Sequence, residues 1–148
     1  MSSIGSCAVL EPGAGVRIDL GLGCPTVKVG RPLSGQVGVV EGELPPGGGF
    51  QVPHWHEDLD EVFYVLEGEI EFLLDGQWRR VAAGGTVFVP AGSVHAFRNA
   101  SDRPARQLVV EPERAAAPVI ELRDPAPDRS QMWRWVWGAP RCDRSDCG

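Results

Sequence analysis

Short strand-like segments follow one another along most of this chain, and this repetition limits its possible folds more than any other feature. Between residues 33 and 112, apolar runs of about five residues alternate with turn residues, without helical periodicity between them. The chain holds 19 Gly and 13 Pro among 148 residues, and both residue types interrupt helices. We therefore predict an all-β fold, an antiparallel sandwich or barrel.

Individual strands can be placed from their composition and from the turns between them. Asp75-Gly76 is the strongest short hairpin signal, because both residues tolerate the positive φ of a two-residue turn. The predicted strands are Val16–Leu20, Thr26–Val29, Gln36–Leu44, Phe50–His56, Glu61–Leu66, Glu69–Leu74, Gln77–Val81, Thr86–Val89, His95–Asn99, Gln107–Glu111 and Met132–Trp137.

Charge and hydropathy exclude several classes of protein. The net charge is −6, and so acidic a chain lacks the basic surface of a nucleic-acid-binding protein. No apolar run is long enough to predict a transmembrane helix, and no signal peptide is visible at the start. We expect a cytoplasmic protein without nucleic-acid or membrane partners. In that compartment free thiols are the default for the four cysteines, Cys7, Cys24, Cys142 and Cys147.

The sequence changes in character after Pro112. Ala- and Pro-rich stretches predict an extended tail, and Trp133, Trp135 and Trp137 then share one face of a predicted strand. Because three exposed tryptophans are unfavourable in water, we expect this strand to pack on the sheet or close one end of it. A dimer contact and a lid over the substrate are the alternatives. We expect a homodimer, since exposed sheet edges are commonly covered.

The three histidines of the chain, with one glutamate, form a pattern that favours a metal site. His54 and His56 are two residues apart on a predicted strand, so both rings point to one face. Glu61 begins the next strand after a short turn, and a closed sheet would bring His95 opposite. Three imidazoles and one carboxylate suit Zn, Fe, Mn, Ni, Co or Cu rather than Ca or Mg. We predict one divalent transition metal ion per chain, with one or two open positions for a substrate, water or dioxygen.

Strand alternation also suggests which side chains surround this site. Several apolar residues share faces with the four predicted ligands and are expected either to line a cavity for an aromatic or aliphatic substrate or simply to fill the barrel. A polar residue of the preceding strand is a further candidate for the cavity. The predicted substrate-binding residues are Phe50, Val52, Phe63, Val65, Phe97 and Gln36.

Two spaced motifs contain all four predicted ligands. The first is Gly48-x5-His54-x-His56-x4-Glu61-x6-Gly68, and the second is Gly84-x5-Pro90-x-Gly92-x2-His95-x3-Asn99. They resemble motifs 1 and 2 of the cupin superfamily in the form that carries the full ligand set. The resemblance implies a double-stranded β-helix, a jelly-roll barrel with the metal inside. It also implies one cupin domain over residues 1–148, with the barrel core at about 33–112, N-terminal strands in 1–32 and a C-terminal extension in 113–148.

The resemblance also implies a range of functions. Cupins with all four ligands include dioxygenases, monooxygenases, polyketide cyclases, decarboxylases, isomerases and lyases, and small ones resemble tailoring enzymes for aromatic polyketides. We expect a metal-dependent enzyme on a small aromatic or polyketide-type substrate, either an oxygenase or a cyclase. The alternatives are a non-catalytic protein that binds or senses a small ligand, and an isomerase, lyase or decarboxylase. No histidine is left for a Ser-His or Cys-His pair.

Overall fold

A computed structural model of the chain describes residues 7–18, 24–31 and 33–112 and the backbone of residues 120–121. Within these ranges the chain forms eleven strands. Their bounds are β1 (Val16–Arg17), β2 (Thr26–Val29), β3 (Val37–Leu44), β4 (His54–Trp55), β5 (Glu61–Glu67), β6 (Glu69–Leu74), β7 (Gln77–Ala82), β8 (Thr86–Val89), β9 (His95–Arg98), β10 (Ala105–Pro112) and β11 (Ile120–Glu121).

The strands form two sheets in which every strand pair is antiparallel. One sheet has six strands in the order β1-β2-β3-β10-β5-β8, and the other has five in the order β11-β4-β9-β6-β7. Strands far apart in sequence, such as β3 and β10, lie side by side because the chain crosses repeatedly between the sheets. The predicted all-β, antiparallel jelly-roll architecture is confirmed.

The core lies between the two sheets and follows the alternation of side chains along each strand. On β5, Glu61, Phe63 and Val65 are buried, whereas Tyr64 and Leu66 are exposed on the outer face. The buried core residues are Leu44, Phe63, Val65, Ile70, Phe72, Val87, Val89 and Ala105. Because Glu61 continues the inward row of β5, the strand pattern places a carboxylate at one end of an apolar core.

The hairpin between β6 and β7 forms where the sequence predicts it. Leu74 pairs with Gln77 across the turn, and the two residues between them, Asp75 and Gly76, have φ of 51° and 76°. Two positive φ values identify a type I′ turn, whose twist matches that of the flanking strands. This turn fixes the register of the hairpin whose first strand, β6, pairs with β9.

The predicted strand Phe50–His56 is shorter in the structure, where β4 contains His54 and Trp55 alone. Pro53 has no N–H to donate to a ladder, so a regular strand cannot run through it. The preceding segment instead follows β9 through single backbone bonds, in which the N–H of Phe97 donates to the carbonyl of Phe50 at 2.9 Å. The sequence prediction was therefore wrong about the length of this strand, and His54, its predicted ligand, lies on the part that forms.

The strand predicted at Met132–Trp137 lies outside the described residues, and the homodimer stays a prediction.

Cys7 is a free, exposed thiol, but Cys24 is disulfide-bonded. The expectation of free thiols was wrong for Cys24, because a default for a compartment does not reveal which sulfur atoms the fold brings together. In the described ranges no helix is long and apolar enough to cross a membrane.

Candidate metal centre

The four predicted ligands meet where the two sheets face each other. His54 on β4 and His95 on β9 are paired across neighbouring strands of the five-stranded sheet. Glu61 reaches them from the first position of β5 in the six-stranded sheet, and His56 follows β4 by one residue. All four side chains are buried, and one ligand atom from each lies within 4.8 Å of all the others. The structure thus brings together the four residues that the motifs single out.

Two of the imidazole rings are held in place through the nitrogen that faces away from the centre. Nδ1 of His54 lies 3.0 Å from the carbonyl oxygen of Val52, and Nδ1 of His95 lies 3.0 Å from that of Ser93. Since a carbonyl only accepts, the ring donates its Nδ1–H. The lone pair is then on Nε2, which is the arrangement of a ligating histidine fixed by an outer hydrogen bond.

The centre contains a contact that a cation would stabilise. Nε2 of His95 lies 2.6 Å from Oε2 of Glu61, and Nε2 of His56 lies 3.4 Å from the same oxygen. Within the described part of the chain, His95 Nε2 and Glu61 Oε2 are buried without a hydrogen-bond partner. Two acceptors at this distance repel each other unless a positive charge lies between them. Together with the nitrogen-rich donor set, this fits a divalent transition metal.

The protonation states of two of these groups suit metal binding. Burial, with further effects of His95 and His56, lowers the pKa of His54 to about 4, so its ring is neutral near pH 7. Burial alone would raise the pKa of Glu61. The neighbouring imidazoles of His56 and His95 outweigh that effect and lower the pKa to about 2, so the carboxylate is ionised. Neutral imidazole and ionised carboxylate are the forms that bind a metal.

Two loops hold the ligands in position. The N–H of Gly92 donates to the carbonyl oxygen of His56 at 2.6 Å, and the N–H of Ala91 donates to Oδ1 of Asp60 at 2.8 Å. Leu59 lies in the loop that joins His56 to Glu61. It is 2% exposed and anchors this loop in the interior. Sequence reasoning missed the roles of Leu59 and Asp60. The available signal was their place in the short turn that must return Glu61 to the histidines.

An aromatic wall adjoins the centre. The ring centroid of Phe50 lies 4.5 Å from that of His54, in an edge-to-face arrangement, and the Phe63 centroid lies 6.1 Å from that of His95. The ring centroid of Phe97 lies 5.6 Å from that of Phe63, with the two rings tilted at 54°. Phe50 and Phe63 therefore place apolar surface against two of the imidazoles, and Phe97 packs behind Phe63.

The other predicted substrate-binding residues lie at different depths. Val52 adjoins the centre through its carbonyl oxygen, which holds His54. Val65 lies four residues beyond Glu61 on β5 and packs in the core. Gln36 lies just before β3, is exposed, and donates its backbone N–H to Oγ of Ser34 at 3.2 Å. A substrate role for these residues stays a prediction.

Two further buried amides lie on the inward side of the sheets. The side chain of Asn99 donates to the carbonyl oxygens of Leu44 and Arg103 at 2.9 and 2.6 Å, which identifies it as a turn residue that closes one end of the barrel. Gln107 on β10 is 1% exposed, and its Oε1 has no hydrogen-bond partner among the described residues. Sequence reasoning treated Gln107 only as the start of a strand, since nothing in the local pattern indicates that the amide is buried.

Comparison with known proteins identifies both the fold and relatives of known activity. A family model described as a cupin domain matches residues 40–111. The structure is similar to a protein with a double-stranded β-helix domain from Klebsiella pneumoniae, with a TM-score of 0.64 and 20% identity. That superposition covers 80% of this chain and 99% of the other, and at this identity it concerns the fold alone.

Two of the similar proteins are enzymes. The polyketide cyclase RemF from Streptomyces resistomycificus superposes with a TM-score of 0.61 and 29% identity, over 69% of this chain and 72% of that one. Quercetin 2,3-dioxygenase from Bacillus subtilis is 37% identical over 91 residues, which are 61% of this chain and 27% of the dioxygenase. The chain spans 27 to 43% of the length of the curated relatives that it matches.

The family match contains His54, His56, Glu61 and His95, and the neighbours share the fold that positions these residues. Motifs, fold and comparisons therefore agree on one family. This chain is a small cupin and belongs to the cupin superfamily.

Proposed function

We propose that this protein is a metal-dependent enzyme that acts on a small aromatic or polyketide-type substrate. The observation that carries the proposal is the convergence of four buried ligand atoms beside an aromatic wall. A binding pocket of this kind combines mostly apolar surface with a few polar groups that orient the ligand. Substrates with a flat carbon skeleton and neighbouring oxygen atoms satisfy both requirements.

A transition metal held by His54, His56, Glu61 and His95 would polarise a substrate oxygen as a Lewis acid or support redox chemistry, depending on its identity. Three histidines and one carboxylate leave one or two positions of an octahedral ion for other ligands. The protein residues hold this arrangement rigid, since the Nδ1 hydrogen bonds of His54 and His95 fix two rings. Phe50 would exclude water from the adjoining space and contact the substrate skeleton, and the buried Phe63 supports the ring of His95.

Cyclisation of a polyketide chain is the activity that we favour. The similarity to RemF extends over about seven-tenths of both chains, whereas the similarity to the dioxygenase covers about a quarter of that protein. In a cyclase the aromatic wall would hold a flexible substrate in a folded conformation. Fixing that conformation lowers the entropic part of the barrier to ring closure.

Oxygenation of an aromatic substrate is the second candidate. It is favoured by the 37% identity to quercetin 2,3-dioxygenase over 91 residues. The same apolar wall would then hold a planar phenolic ring beside the metal. A binding protein that senses such a ligand without transforming it would use the same contacts, so the three functions differ in what happens after binding.

Metal analysis and turnover measurements separate these functions. The protein is purified without added metal, its metal content is measured by mass spectrometry, and oxygen uptake is followed with quercetin and simple polyphenols. The proposed cyclase predicts a redox-inert metal such as zinc, no oxygen uptake, and cyclised products from a linear poly-β-ketone. Oxygen uptake identifies the second candidate. Binding of the ligands without product indicates a sensor, and protein without any bound metal contradicts the proposal.

A further inference from the structure

A second carboxylate lies at the level of the metal centre in the six-stranded sheet. Val110 on β10 pairs with Val62 on β5. Continuing this antiparallel register by one residue places Glu111 opposite Glu61. On its other side Glu111 pairs with Gly38 of β3, and Glu61 pairs with Val89 of β8. Glu61 and Glu111 are thus neighbours in one row across the sheet.

The side chain of Glu111 belongs to the inward face of β10. Gln107 is buried and Val109 packs against the core, and residues two apart on a strand point the same way. The irregularity in the pairing of β10 with β5 lies between residues 106 and 107, so the register beyond it is regular. Glu111 therefore shares the face of Glu61, at a Cβ separation of about 5 Å expected for cross-strand neighbours.

Glu111 is placed to act on a molecule at the metal rather than on the metal itself. The group of converging ligand atoms contains His54, His56, Glu61 and His95 but not Glu111. Glu111 is partly exposed, whereas the four ligands are buried. Its partner across the strand pair, Gly38, is a buried residue without a side chain. A carboxylate has several acceptor sites, so one beside the ligands can accept a hydrogen bond from a hydroxyl group in addition to its contacts within the protein.

We propose that Glu111 contacts the substrate, by accepting a hydrogen bond from an enolic or phenolic hydroxyl of a molecule bound at the metal centre. This inference rests on the proposed function and narrows its substrate class. The substrate carries a hydroxyl group close to the oxygen that reaches the metal. Catechols and enolised β-diketones have this arrangement, whereas simple ketones and hydrocarbons do not.

The test measures the binding of 4-nitrocatechol to the zinc-loaded full-length protein by absorbance titration. The variants are Glu111→Leu, which removes the acceptor at similar size, and Glu111→Gln, which keeps an uncharged acceptor. Glu43→Gln serves as the matched control, since Glu43 is an exposed residue of β3, away from the inward row. Zinc content is measured for each protein by mass spectrometry.

We expect Glu111→Leu to retain zinc and to bind the probe about tenfold more weakly, with Glu111→Gln in between and Glu43→Gln unchanged. Wild-type affinity in the zinc-loaded Leu variant would overturn the inference and leave the proposed function standing. Loss of zinc from both Glu111 variants would also overturn it, because Glu111 would then act on the metal. A zinc-loaded wild-type protein that does not bind the probe would overturn the phenolic substrate class and this inference together.

Discussion

The rings of His54 and His95, cross-strand partners on β4 and β9, lie with their centroids 4.2 Å apart. Each ring donates Nδ1–H to a carbonyl two residues earlier in its own segment, so both present Nε2 to the same point. The local backbone thus sets the direction of each ligand, and strand pairing sets the distance between them. Metal affinity is expected to depend on both.

Removal of paired ligands should abolish metal binding. We expect the double variant His54→Ala/His56→Ala to purify without metal, because the one remaining imidazole and Glu61 cannot hold a transition metal tightly. Metal content by mass spectrometry and the shift in Tm on adding zinc are the measurements. The chain has three histidines, so no other imidazole can compensate. Full retention of metal by the double variant would refute the site.

Three of the four predicted ligands could be placed from the sequence because they lie close together along the chain. Period-two spacing was enough to place His54 and His56 close together, and a short turn was enough to return Glu61. His95 could be placed only by assuming a closed sheet, because its approach to His54 is a long-range pairing. The register of β10 decides that Gln107 points inward and that Glu111 lies beside Glu61. No local sequence pattern reveals this register.

Asp60 should influence the metal site although its side chain is exposed. Asp60→Ala removes the acceptor for the N–H of Ala91 and is expected to lower the free energy of unfolding by about 1 kcal/mol. Loosening the loop between His56 and Glu61 should also weaken zinc binding severalfold. Chemical denaturation and a competitive zinc titration measure the two effects. Glu57→Ala, in the same exposed loop, is the control, and an equal effect of both variants would contradict the role of Asp60.

Two glycines with positive φ should respond differently to alanine. Gly76, at φ 76°, has open space where a Cβ would be, so Gly76→Ala is expected to cost about 1 to 2 kcal/mol of backbone strain. Gly49, at φ 124°, would place its Cβ 2.6 Å from the carbonyl oxygen of Phe97, so Gly49→Ala should cost clearly more. Denaturant unfolding measures both, and similar losses of stability would contradict the close approach of Gly49 to β9.

A charged pair on the outer face links β3 and β10. The guanidinium of Arg106 donates to Oε1 of Glu41, and the ammonium group of Lys28 lies 3.4 Å from Oε2. The hydrogen bond from Arg106 is the largest effect on the pKa of Glu41 and lowers it below the ordinary value of 4.5, against the opposing effect of burial. The same hydrogen bond raises the pKa of Arg106.

The stability that Glu41 contributes should therefore disappear in acid. A carboxylate whose pKa is lower in the folded state stabilises the fold fully above its unfolded pKa, and loses this contribution as pH falls through the folded value. Arg106 stays protonated over that range. The difference in unfolding free energy between wild type and Glu41→Gln should be constant from pH 7 to about 4.5 and then shrink. Urea denaturation at each pH measures it. In an Arg106→Gln background the pH-dependent part should be smaller, and an undiminished one would show that Arg106 is not its main cause.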